Sequence, residues 1–419
     1  MSVHGFFLKK VILIIILSLL ILNPYTIFGA LAFALLPIVF VSFFKRFRGL
    51  GFDTLLIILG LILISAVGVF SSFFHDIGQF VHLKVSMSIA VYIFISHGLF
   101  FLFLKGGFEF NDFVHCLLLV VSLNSLVIVS QVYFPLFRQI IENFLVLSGN
   151  IDWTEGFRYR GIASGGGASL SVLVPVSAVL ALYLYSERYL SFISMMVHLF
   201  VLIFSVFFIG RTGLVLLPIV ALFFIFFNAR KYLFRTTAGL VLGLGLFFAL
   251  SGVIKKALIE QYGIGFYNYA VGFLLPGGEG LKGEGTVSTI MQFLSVLPTT
   301  FPEVIFGYGF YGGSEFEPWT DSGYSRMFLS VGYIFGLLFY ILFFLMFRNV
   351  LFYKPFLFLT IGALLLVAEI KEPLLFTGYS ARLYIVILVV GLLSKRWKCY
   401  ADQPRYAPLN RVPSSKGVL

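Results

Sequence analysis

The sequence predicts an all-α fold: a polytopic membrane helical bundle of about twelve transmembrane helices, with one large outward-facing loop between spans nine and ten. Three observations carry this reading. The chain of 419 residues is 60% hydrophobic, with 53 Phe, and only 11% charged, whereas soluble domains are about 45–50% apolar and about 25% charged. Its apolar residues fall in long runs separated by short polar links. Lys and Arg cluster in those links, as membrane-orientation signals do, so the net charge of +11 does not argue for nucleic acid.

Runs of about 17–25 apolar residues are long enough to cross a bilayer. The first two, 11–22 and 27–44, are short and parted by Asn23-Pro24, which reads as a tight helical hairpin. Lys9 and Lys10 ahead of the first run mimic a signal peptide, but no small-residue cleavage site follows, so a retained span is expected. Beyond Lys45, Arg46 and Arg48 come 54–74, 85–104, 113–134, 167–185, 190–209 and 212–227. A basic patch at Arg230, Lys231 and Arg235 precedes 236–254, and the polar interval 255–326 follows it. Three further runs, 327–347, 355–370 and 383–394, lead to a basic tail, 395–419. With no internal repeat and no soluble stretch, residues 1–419 read as a single integral membrane domain.

Charge assigns the sides. If the N-terminus is cytoplasmic, 18 of the 29 Lys and Arg fall in short links and the tail on that side. The other side receives the rest despite holding both long loops, which satisfies the positive-inside rule. Both termini are then cytoplasmic and the long loop faces outward. So do Arg138, Arg158, Arg160, Arg211, Arg326, Lys371 and Arg382, which need an explanation because outward loops are normally poor in Arg.

Arg158, Arg160 and the glycines of RYRGIASGGGAS stand where the second loop, 135–166, meets a span. Glycines let backbone N–H groups turn toward an anion, the following helix adds its positive end, and two guanidiniums suit phosphate. Interfacial anchoring by Arg beside a flexible Gly linker is the simpler alternative. Arg211 sits between two apolar runs in Gly210-Arg211-Thr212-Gly213, a tight outward turn that would aim it at the bundle, with snorkelling as the alternative. Asp321 and Arg326 bracket the start of the tenth run. Asp321 reads either as a helix N-cap or as a carboxylate that orients or deprotonates a hydroxyl. Glu369, Lys371 and Glu372, closed by Arg382, read as an outward corner that ion pairs would satisfy. His75, Asp76 and His82 share one outward loop without metal-ligand spacing, while His97, His115 and His198 lie in apolar runs as core residues. Cys116 and Cys399 make neither a disulfide framework nor a zinc pattern. No metal and no cofactor are expected.

In this order the motifs resemble one family. RYRGIASGGGAS leads into a span, GRTGL joins two spans, GYGFYG and TDSGYSRMFLSVGYIFG follow the large loop, and EIKEPLLFTGYSAR precedes the last span. This set resembles the O-antigen and capsular polysaccharide repeat-unit polymerases (Wzy-type), with the related O-antigen ligases. The resemblance implies a metal-independent glycosyltransferase on the outer face of the bacterial cytoplasmic (inner) membrane. Its donor and acceptor would be oligosaccharides on undecaprenyl pyrophosphate, its neighbours in the bilayer a flippase and a chain-length regulator. The ligases usually carry His at the large-loop position that here reads Asp321, which favours polymerase over ligase. In that reading Asp321, Arg211 and Arg160 are catalytic, and Arg158, Tyr324, Arg326, Lys371 and Arg382 bind substrate. Guanidiniums suit the charge developing on a pyrophosphate leaving group, and Tyr308, Tyr311, Trp319 and Tyr324 suit sugar faces or an interfacial aromatic belt. The rival of another class is a lipid-linked oligosaccharide flippase, which would be expected to show short loops on both sides and paired repeats.

Overall fold

A computed structural model describes residues 3–27, 29–45, 50–77, 80–104, 107–145, 159–228, 287–309, 320–375 and 378–401, with isolated positions between 256 and 267. Helix α1 (Val3–Leu22) begins before Lys9 and Lys10, so the first span is longer than its apolar run. Lys10 Nζ donates to His115 Nδ1 at 3.0 Å instead of standing free ahead of the helix. Asn23 then adopts a left-handed φ of 44° and Pro24 lacks an amide donor, so the helix stops. A two-residue ribbon, β1 (Tyr25–Thr26) with β2 (Gly29–Ala30), turns the chain back, Tyr25 facing Ala30 and Thr26 facing Gly29. A 3-10 turn (Leu31–Leu35) leads into α2 (Leu36–Phe44).

The remaining helices are α3 (Phe52–Phe74), α4 (Val81–Leu99) extended by a π turn (Phe100–Leu104), α5 (Phe110–Tyr133) and α6 (Pro135–Phe144). They continue as α7 (Ala168–Ser186), α8 (Phe192–Ile209), α9 (Arg211–Asn228), α10 (Val287–Ser295) and α11 (Phe301–Phe306). The last three are α12 (Gly323–Leu351), α13 (Pro355–Glu369) and α14 (Gly378–Ala401). Among the described residues, nine helices are long and apolar enough to cross a membrane, and two shorter apolar helices, Leu31–Phe44 and Pro355–Glu369, join them. The fold is an all-α bundle of apolar helices, that of a multi-pass membrane protein. The run 236–254, the tail 402–419 and most of 255–286 lie outside the described residues.

Helices α7 and α14 form the centre, 78% buried over their spans, whereas α1 is 28% buried and presents most of its surface outward. Lipid is as apolar as Leu, so the packing of close contacts and interhelical hydrogen bonds holds such a bundle. Ser205 donates to Ser125 at 3.0 Å, Ser122 and His198 Nδ1 lie 2.9 Å apart, and Tyr189 donates to Asp112 at 2.6 Å. Each such bond contributes about 0.6–2 kcal/mol. His82 is not in a loop as the sequence suggested: it lies in α4, buried, with its ring against Gly68 of α3.

The tenth run is broken rather than continuous. Gly332 inside α12 has φ 75° and ψ 176°, a conformation L side chains rarely adopt. The break frees carbonyls, and backbone at membrane depth tolerates that only where protein supplies new donors. Here α11 and the residues after it supply them: Tyr308 N donates to Leu329 O at 2.6 Å and Gly309 N to Ser330 O at 2.9 Å. Ser71 of α3 closes the other side by donating to Gly307 O. A Cβ on Gly309 would lie 2.0 Å from Ser72 N, so only glycine fits between the two helices.

Candidate functional site

Five polar corners predicted to share one side meet at one end of the bundle. The loop before α7 is built from Arg160, which is 7% exposed. Its Nη1 donates to Ser164 O at 3.3 Å and its Nη2 to Leu145 O at 3.1 Å. Burial pulls its pKa below the usual guanidinium value, against the opposing charges of Glu142 and Tyr379. The next five N–H groups all have partners. Gly161 N donates to Gln131 Oε1 (3.1 Å), Ile162 N to Asn124 Oδ1 (2.8 Å), Ala163 N to Arg160 O (3.2 Å), Ser164 N to Leu22 O (3.2 Å) and Gly165 N to the Tyr379 hydroxyl. The expected anion cradle therefore does not form at 161–165, because polar side chains of α5 and α14, the end of α1 and the Arg160 carbonyl accept those donors. Arg158 lies outside the described residues.

Tyr379, in the first turn of α14, is the post around which this loop is wound. Its hydroxyl donates to Gly165 O at 2.9 Å and lies 3.0 Å from Ser164 Oγ, while its own N–H donates to Ser169 Oγ at 3.1 Å. Arg382, one turn on, stacks its guanidinium 5.5 Å from the Tyr379 ring centroid. It donates to the Tyr92 hydroxyl at 3.1 Å and to Ile21 O at 3.3 Å. Sequence reading missed Tyr379. The available signal was its i,i+3 spacing from Arg382, which places both on one helix face.

Arg211 is the first residue of α9, directly after the extended Gly210 that ends α8. Gly213 N donates to Ser171 Oγ at 3.1 Å, and a Cβ on Gly213 would lie 2.4 Å from Ser171 O. This close approach to α7 fixes the position of Arg211. Lys371, on the link from α13 to α14, donates to Thr212 Oγ1 at 3.3 Å, so two cations distant in sequence share one corner.

That corner continues to the start of α12. Glu369 is fully buried, and its Oε2 accepts from Leu374 N at 2.7 Å and Leu375 N at 2.9 Å. Its Oε1 has no hydrogen-bond partner among the described residues. The ion-paired corner read from the sequence is thus not what engages Glu369: the carboxylate ties its own link instead. Gly323 of α12 lies against it, since a Cβ there would be 2.4 Å from Glu369 Oε1 and 2.8 Å from Pro373 Cα. Just before, Asp321 Oδ1 accepts from Arg326 Nη2 at 2.8 Å, and Arg326 Nε donates to Thr320 O at 2.6 Å. The N-cap of α12 is Ser322, not Asp321, so the capping alternative for Asp321 gives way to an ion pair. Asp321 remains 41% exposed. Tyr324 donates to Leu366 O at 2.8 Å and its ring lies tilted against Tyr340, centroids 5.1 Å apart, so its hydroxyl is engaged by the protein. Of the loop aromatics, Tyr308 lies beside His75, and Tyr311 and Trp319 lie outside the described residues.

The site is thus a basic rim of Arg211, Lys371 and Arg382 around a wound loop, with a partly exposed Asp321–Arg326 pair beside it. Among the described residues no three His, Cys, Asp or Glu side chains are placed to hold one metal ion, and Cys116 is a free, buried thiol. Comparisons with protein-family models, curated proteins and solved structures find no match to this chain.

Proposed function

We propose that the protein is a polysaccharide polymerase of the O-antigen or capsule type. It transfers a glycan from undecaprenyl pyrophosphate to the non-reducing end of another lipid-linked repeat unit. The reaction lies on the outer face of the bacterial inner membrane, with both termini cytoplasmic. The observation that carries this reading is the meeting of the Arg211–Thr212 and Lys371 corners beside the start of α12, where Asp321 stands. Cations gathered at one end of a bundle suit an anionic diphosphate whose lipid tail stays in the bilayer.

In the proposed step an acceptor hydroxyl attacks the anomeric carbon. One C–O bond forms, the C–O bond to the pyrophosphate breaks, and undecaprenyl pyrophosphate leaves with the bonding pair. Arg211 and Lys371 stabilise the charge gathering on that leaving group. Asp321, held by Arg326 through one oxygen, offers the other to the hydroxyl proton. Arg160 serves in this scheme by bracing the loop, since its guanidinium is turned to two backbone carbonyls.

Arg211→Ala should abolish long-chain polysaccharide on a gel while single repeat units are still made, and Arg211→Lys should restore little where two parallel hydrogen bonds matter. Normal long chains in Arg211→Ala would exclude the role. Deletion of the gene separates the alternatives. A single-repeat band supports the polymerase, polymer retained on its carrier supports a ligase, and loss of outward-facing lipid-linked units supports a flippase.

A further inference from the structure

We propose that α6 is an interfacial helix that docks on the lipid headgroup region of the leaflet at the C-terminal end of α5, and that it sets the depth of the Arg160 loop. Helix α5 has 24 residues, about 36 Å at ~1.5 Å per residue, which exceeds the ~30 Å hydrocarbon core. Its end at Tyr133 therefore reaches the headgroups. One non-helical residue, Phe134, turns the chain directly into Pro135, and α6 has 10 residues, too few to recross the bilayer.

The sequence of α6, PLFRQIIENF, has two opposite faces. Leu136, Ile140 and Phe144 recur every fourth residue and are 76%, 64% and 66% exposed. Arg138, Gln139 and Glu142 occupy the other face and Asn143 lies at its border beside Leu136, with Arg138 donating to Glu142 Oε1 at 2.8 Å. No residue of α6 is buried, yet an apolar stripe of this kind does not face water without cost. It continues the exposed Tyr133 and Phe134 at the end of the span, so the surface that meets lipid along α5 runs on into α6. That continuity, at headgroup depth, identifies the bilayer as the occupant.

Two contacts fasten α6 to the site. The Arg138 guanidinium lies 4.8 Å from the Tyr159 ring centroid, and Leu145, the residue directly after α6, accepts the hydrogen bond from Arg160 Nη2. The loop before α7 thus hangs from a helix that floats on the membrane. This inference does not depend on which chemistry the site performs.

The test uses the full chain with Cys116→Ala and Cys399→Ala, reconstituted at one copy per nanodisc. An environment-sensitive fluorophore is attached at Ile140→Cys, Phe144→Cys or Gln139→Cys. Phospholipids brominated high on the acyl chain should quench the labels at Ile140 and Phe144 by roughly twofold more than the label at Gln139. Equal, weak quenching at all three positions would place the stripe in water and overturn the proposal. A blue-shifted but unquenched Ile140 label would also overturn it, by showing that another segment of this chain covers the face.

Discussion

Tyr379 accepts the N–H of Gly165, donates to the Gly165 carbonyl and meets Ser164 Oγ. A phenolic oxygen has one donor and two acceptor positions, and three partners fill them. Tyr379→Phe removes all three at once and leaves a half-buried amide without its acceptor, which costs about 1 kcal/mol. The variant should melt at a lower temperature in detergent than the wild type, and an unchanged midpoint would show that the loop holds without this post. Arg160, Arg211, Lys371 and Arg382 were legible in the sequence as cations flanking apolar runs, where membrane proteins seldom place them without use. Their individual tasks were not. Arg160 braces carbonyls, and Lys371 reaches Thr212, because partners on distant helices decide what a side chain of fixed chemistry does.

At the scale of elements, the break in α12 and the segment that fills it form one unit. Gly309→Ala would drive a methyl group into the backbone of α3 at Ser72, a contact that no rotamer change relieves. It should sharply reduce the yield of folded protein, whereas Gly107→Ala, with open space around its added Cβ but a left-handed φ of 108°, should cost only the backbone strain. Comparing monodisperse yields of the two variants checks this. The same unit is sensitive to acid. Burial opposes ionisation of Glu303, but hydrogen bonds from Tyr308, Thr300 and Thr299 outweigh it and hold its pKa below the usual carboxylate value. Burial and the Glu303 hydrogen bond push Tyr308 up to about 12. A carboxylate depressed on folding stabilises the folded form above its ordinary pKa, and that contribution is lost as pH falls through the depressed value. Amide-exchange protection of residues 300–309, corrected for intrinsic rates, should therefore drop on acidification below the ordinary carboxylate range. Glu303→Gln should lose this pH dependence. Hydropathy located the tenth span but not its break, since only Gly332 marks it and a lone glycine in an apolar run is common in membrane helices.

At the scale of the molecule, the described links gather in two groups, one at each end of the bundle. Leu22, Ser164, Thr212, Lys371 and Arg382 are joined at one end, while Lys354 pairs with Glu187, and Asp53 with Asn349 and Arg396, at the other. A membrane-impermeant thiol reagent applied from outside should label Asp321→Cys but not Glu187→Cys in intact cells. Labelling of Glu187→Cys alone would invert the proposed orientation.

By itself the sequence determined the all-α membrane class, the places of most spans and the links that carry unusual charge. These depend on local composition: apolar runs must cross lipid as helices, and charges must stay near its edges. Only the tertiary structure decided that the 161–165 amides serve the fold instead of an anion, that Ser322 rather than Asp321 caps α12, and that Tyr379 holds the loop. The Ser322 cap is settled locally by where the backbone starts the helix, whereas the other two outcomes depend on groups far apart in the chain that meet at hydrogen-bond distance. Such a meeting leaves no periodicity in the sequence to read.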